Sequence, residues 1–226
     1  MRSLPCLSAM RLAQALFCLA CLATAAYAFA YLYLAVRGGD PFAAQFAVSG
    51  LDVPAHFFGA GLALLLVPLQ LSGTIRRRWP SLHRCGGWLS AVAILVGGVS
   101  GLSLAQNAQG GWTARLGFTL LSLLWLGITA NGIRLAVAGQ LARHRQWMAY
   151  SMALTSAAVT LRVLLALGTG PLQLPFMPVY ITVSWTSWLL NMAVCAWLLR
   201  TRAPGALTAR ARGGAGSRWG FRRPAA

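Results

Sequence analysis

The stretch LARHRQWMAYSMALTSAAVTLR, residues 141–162, decides how this chain is read. It opens on a basic turn, Arg143-His144-Arg145, passes Trp147, and continues as an apolar run that ends on Arg162. At 100° per residue, His144, Met148, Ser151, Thr155 and Arg162 fall within roughly 40° of one line. The run is long enough for a bilayer, so the expectation is one continuous transmembrane helix carrying a polar stripe.

Composition places the rest of the chain in the same setting. Of 226 residues, 58% are hydrophobic and 9% charged, against about 25% charged in a soluble domain. Mean hydropathy is +0.65. Nineteen basic residues, all Arg, face two acids, Asp40 and Asp52. In a soluble chain such a balance would suggest nucleic acid. Here the charge sits in loops and tails, so the reading is no nucleic acid; the partners are the lipid bilayer and its anionic headgroups. The five cysteines form no framework: the CxxC at 18–21 lies inside an apolar run and lacks the His of a haem-attachment motif.

Working outward, six apolar spans are expected: about Ala13–Val36, Pro54–Leu71, Trp88–Leu104, Trp112–Val137, the 141–162 stretch, and Tyr180–Leu199. Residues 1–12 form an amino-terminal arm, 13–199 the membrane domain, and 200–226 an Arg- and Gly-rich tail too polar to pack, hence disordered. The first span imitates a secretory signal, with Ala26-Tyr27-Ala28 as a cleavage site. Its apolar run continues to roughly 24 residues, which favours an uncleaved helix.

Arginine counts set the orientation. The arm has two, the first loop one, the second four, the third at most one, the fourth two, the fifth none and the tail seven. That alternation places both termini and loops two and four in the cytoplasm. Trp79, Trp88, Trp112 and Trp147 fall near span ends, where an interfacial belt lies. The fold class is thus all-α, a polytopic bundle of six transmembrane helices. Gly97 and Gly101, four apart in the third span, offer a close-approach face for a second copy or a membrane partner.

Three histidines could carry chemistry. His83 and His144 occupy equivalent corners, HRCGGW and HRQW, at one membrane depth. Neutral imidazole is an axial ligand of haem iron. His83 and His144 could therefore bind one haem b, with Arg84, Arg145 and Arg134 meeting its propionates. A second haem would need a further ligand such as Met148 or Met177. The bland alternative is that these imidazoles touch phosphate headgroups or cap helices. No Cys or carboxylate ligand set accompanies a His for zinc, and no nucleophile–base pair or phosphate loop is present. The chain is read as carrying no catalytic constellation.

His56 sits on the other side. Arg162 lies ~27 Å along the helix from His144, which brings it to the depth of His56 and Asp52. A lone Arg deep in a bilayer costs about 2.5–3.5 kcal/mol, and near a helix end it can snorkel instead. Alternatively Arg162, His56 and Asp52 form a polar cluster or anion site. Gln70 shares a face with His56, and Asn191 lies on a polar face of the last span; such residues commonly bond helix to helix.

Three motifs carry a resemblance. They are His56 with Gly59, Ala63, Leu64, Pro68 and Gln70; Arg77, Pro80, Leu82, His83, Arg84 and Gly86; and HRQWM at 144–148 with Ser151, Ala153, Leu154 and AVTLR at 158–162. In this order they resemble a family of bacterial predicted multi-pass membrane proteins defined only as a domain of unknown function. The resemblance covers residues 50–165. It implies an inner-membrane protein in which His56, His83 and His144 recur as a set. The functions expected are electron transfer through haem, or else a small transporter or lipid-handling protein, or a structural subunit of a membrane complex.

Overall fold

The structure, a computed structural model, describes residues 4–36 and 50–201. The loop holding Asp40, the first three residues and the tail after Thr201, expected to be disordered, lie outside the described residues. Those described form helices α1 (Leu4–Val36), α2 (Asp52–Leu71), α3 (Gly73–Arg78), α4 (Pro80–Gln106), α5 (Gly111–Val137), α6 (Leu141–Thr155), α7 (Ala157–Thr169) and α8 (Phe176–Thr201), and no strand. Six segments among them are long and apolar enough to cross a membrane, α6 and α7 together making one. Helix is what a bilayer demands, because every backbone donor and acceptor must be satisfied within the segment.

Local chemistry sets the ends. Pro68 lies in the last turn of α2, and Ser72 caps the short basic α3 by accepting from the Ile75 N–H. Pro80 starts α4, where its missing N–H has no partner to lose. The helix α1 begins at Leu4, earlier than residue 13, so the part of the arm from residue 4 is helical. Cys21 and Ala25 of α1 pack on Leu64 and Val67 of α2, with Ala158 and Val159 of α7 against them. Loss of the segment up to Ala28 would strip this cluster.

The main core joins every long helix except α1: Ala63, Ala93, Ile94, Trp125, Ile128, Leu154, Ala157 and Trp188. Around it α2 packs on α4, α4 on α5, α5 on α6, and α8 on α5, α6 and α7, while α1 leans on α2 and touches α7. The outer surface is apolar, with Leu65, Leu95, Val99, Leu123, Val163 and Val194 exposed. Lipid-facing helices need this, and burial from water cannot then drive helix against helix; close packing and hydrogen bonds do.

Two expectations change here. The Gly97/Gly101 face is not open to an outside partner. A Cβ on Gly97 would sit 2.9 Å from the Ala60 nitrogen, and one on Gly101 would sit 2.9 Å from His56 Nδ1. The glycines let α2 and α4 touch backbone to backbone, so this face is an internal seam. The 141–162 helix is also not continuous. It breaks at Ser156, whose Oγ donates to Ala153 O, while Thr155 Oγ1 donates to Ser151 O. Hydroxyls that bond back to the preceding turn bend a helix.

Candidate functional site

His144 is the fourth residue of α6. Its Nδ1 lies 2.8 Å from Gly132 O on α5. A carbonyl only accepts, so Nδ1 carries the proton and Nε2 keeps the lone pair. Gly132 is what admits this contact: a Cβ there would meet Met148 Sδ at 2.7 Å. Further along α6, Ser151 and Thr129 hydroxyls share a 2.6 Å hydrogen bond, and Trp125 Nε1 donates to Thr155 Oγ1 at 2.9 Å. From Met148 to Thr155 the stripe is therefore the seam between α6 and α5, not a lining open to a ligand.

His83 is the fourth residue of α4. Arg76 of α3 adds its field to His83, and a charge on His144 would add to it more weakly. Unlike His144, His83 has a buried Nδ1 with no hydrogen-bond partner. Its backbone carbonyl accepts from Gln70 Nε2 at 3.2 Å. Gly86 makes room for that amide, since a Cβ there would lie 2.7 Å from Gln70 Nε2. Of the arginines expected beside these rings, Arg84 and Arg145 are exposed. Arg134 is held by its own helix, donating to Asn131 Oδ1 at 3.0 and 2.7 Å. Among the described residues no three His, Cys, Asp or Glu side chains converge.

The opposite end is built differently. His56, on the second turn of α2, donates from Nδ1 to Gly97 O at 2.7 Å. Beyond the break, α7 swings its polar face toward α1: Arg162 lies over the Tyr27 ring at 5.2 Å and donates to Ala158 O at 2.9 Å. His56 and Arg162 line one small cavity between α1, α2 and α7, with Thr24. Asp52 does not join them; its carboxylate accepts from Ser103 Oγ on α4.

Gln70 and Asn191 do not join them either. Gln70 is ~21 Å along α2 from His56 and belongs to the His83 end. Asn191 of α8 clamps the break: its amide donates to Ala153 O and Ser156 Oγ, each at 3.1 Å, and its Oδ1 accepts from Thr160 at 2.9 Å. Tyr27 and Thr24, the α1 partners of this end, are absent from the expected set. Both sit in an apolar run with no local mark, and only the packing of α1 against α7 singles them out.

An apolar six-span bundle with one end rich in Arg and imidazole, and one cation buried at the other, defines a polytopic helical membrane protein. The chain belongs to the predicted membrane protein family DUF2306, whose model matches residues 53–199. The match runs past the motif-bearing region 50–165 and takes in α8. No curated protein and no solved structure matches the chain.

Proposed function

We propose that this chain is a multi-pass inner-membrane electron-transfer protein that would hold one haem b at its Arg-rich end through His83 and His144, with that end in the cytoplasm. The observation that carries the proposal is the unequal state of the two rings. His144 is oriented by Gly132 O and keeps a free Nε2 lone pair, the arrangement usual for a metal-bound imidazole. His83 lies within its electrostatic reach and has a buried nitrogen with nothing to bond. A buried orphan of this kind normally signals an absent partner.

The donor set fits the group. Two neutral imidazoles from separate helices would hold the iron, and exposed Arg84 and Arg145 would take the propionates by charge-assisted bonds. Arg134, already bonded to Asn131, is the weaker candidate. When bound, haem b supplies one-electron transfer. The chain's own part is to fix the His144 tautomer, to hold the α4 end through Gln70, and to neutralise the carboxylates.

The test is an absorption spectrum of the full chain purified in detergent from haem-replete cells. The expected result is a Soret band, lost in His144→Ala and in His83→Ala. Colourless wild-type protein that gains no band on haem titration overturns the proposal.

A further inference from the structure

The cavity between α1, α2 and α7 has a volume of about 30 Å³. That is room for one water-sized atom or ion. Its lining carries one permanent cation. Arg162 keeps its charge in any surroundings and has five N–H donors; its contacts are the Ala158 carbonyl and the face of Tyr27. Asp52 is the one side-chain carboxylate among the described residues, and it is bonded to Ser103. So a guanidinium at membrane depth has donors in hand beside a small void.

Opposite it stands His56. Its Nδ1–H is committed to Gly97 O, which leaves Nε2 as an acceptor when the ring is neutral. A lone pair repels an anion, so an anion and the neutral ring do not share the cavity comfortably. Protonation at Nε2 removes the conflict and turns the ring into a second donor. The other groups around His56 are Arg162 on α7, Tyr27 on α1 and Asp52 one turn earlier on its own helix; α4 presents Gly97 and Gly101 and α5 presents Ser122. Among them His56 is the side chain with a lone pair that can accept a proton.

We propose that this cavity is a binding site for one small monovalent anion of chloride size, taken up together with one proton. The anion lies against Arg162, with the Thr24 hydroxyl at the wall. The proton comes from solvent and resides on His56 Nε2, so the occupied site carries the same net charge as the empty one.

The test uses the full chain in detergent with gluconate as the only anion. Sodium chloride is titrated while the thermal midpoint is followed at several pH values. The expected result is a saturable rise in midpoint whose apparent affinity weakens up to tenfold per pH unit in the alkaline range, the signature of a proton bound with the ligand. Arg162→Gln abolishes the response and Thr24→Val weakens it. Should Arg162→Gln fail to fold, a weakly buffered wild-type sample answers instead: chloride addition takes up about one proton per anion bound. A flat chloride response overturns the proposal, and so does binding with no pH slope. A midpoint that follows phosphate as well as chloride also overturns it, as does one set by phosphatidylglycerol against phosphatidylcholine in nanodiscs regardless of chloride, because a lipid or phosphate oxyanion is then the ligand.

Discussion

The helices α6 and α7 come from one apolar run, yet their polar residues meet opposite fates. On α6, each is matched by α5: His144 with Gly132, Ser151 with Thr129, Thr155 with Trp125. On α7, Thr160 turns to Asn191 of α8 and Arg162 turns to Tyr27 of α1. Between them lies Ser156, held by Asn191. Past the break, the polar groups meet different helices. The lesson is that a polar stripe predicts a contact, while the break decides with whom. A stripe matched along its length is a seam; a residue carried out of the stripe is free to do something else.

That contrast can be broken by substitution, with stability read as thermal or denaturant unfolding in detergent. The largest effect is expected for Ser151→Leu. Ser151 is 1% exposed in the α5–α6 seam, so added volume should overpack it and cost about 3 kcal/mol; a loss below 1 kcal/mol would mean the seam is loose. Asn191→Leu removes the hydrogen bonds that hold the break, and at roughly 0.6–1.7 kcal/mol per interhelical bond it should cost about 2 kcal/mol. An unchanged midpoint would show that the break persists without its clamp. Trp125→Phe deletes the single bond to Thr155 and should cost about 1 kcal/mol. Smallest is Arg162→Gln, expected within about 0.5 kcal/mol of wild type, because the cation's contacts and its transfer cost oppose each other. If Arg162→Gln instead destabilised as strongly as Ser151→Leu, α7 would be a seam like α6 and the contrast would fail.

A second contrast sharpens the first. His144 and His56 make the same bond, Nδ1–H to a glycine carbonyl of a neighbouring helix, and His83 makes none at that nitrogen. In the α5–α6 hairpin the glycine is on the first helix, Gly132, and the bulky Met148 on the second. In the α2–α4 hairpin the order is reversed, with Gln70 first and Gly86 second. The sequence likeness of HRCGGW and HRQW thus hides an exchange of small and large residues. That exchange gives one imidazole a carbonyl to bond and leaves the other without one.

Much of the architecture was legible before any contact was known. The six spans follow from hydropathy, which is a local property. Two readings failed for the opposite reason. Gly97 and Gly101 read as an outside face because a small-residue pair says that something approaches, not what; α2 approaches. Gln70 shares a helix face with His56 and Asn191 lies on a polar face of the last span, yet a face does not fix depth or neighbour, and they lie at the other end and at the break.

By itself, then, the sequence determined that this chain is an all-α, six-span membrane protein, since bilayer thickness and the helical rise set how long an apolar run must be. Only the tertiary structure decided which helix each polar group faces. That choice depends on a break at Ser156 and on where glycines let backbones meet, and neither is visible until the helices are set side by side.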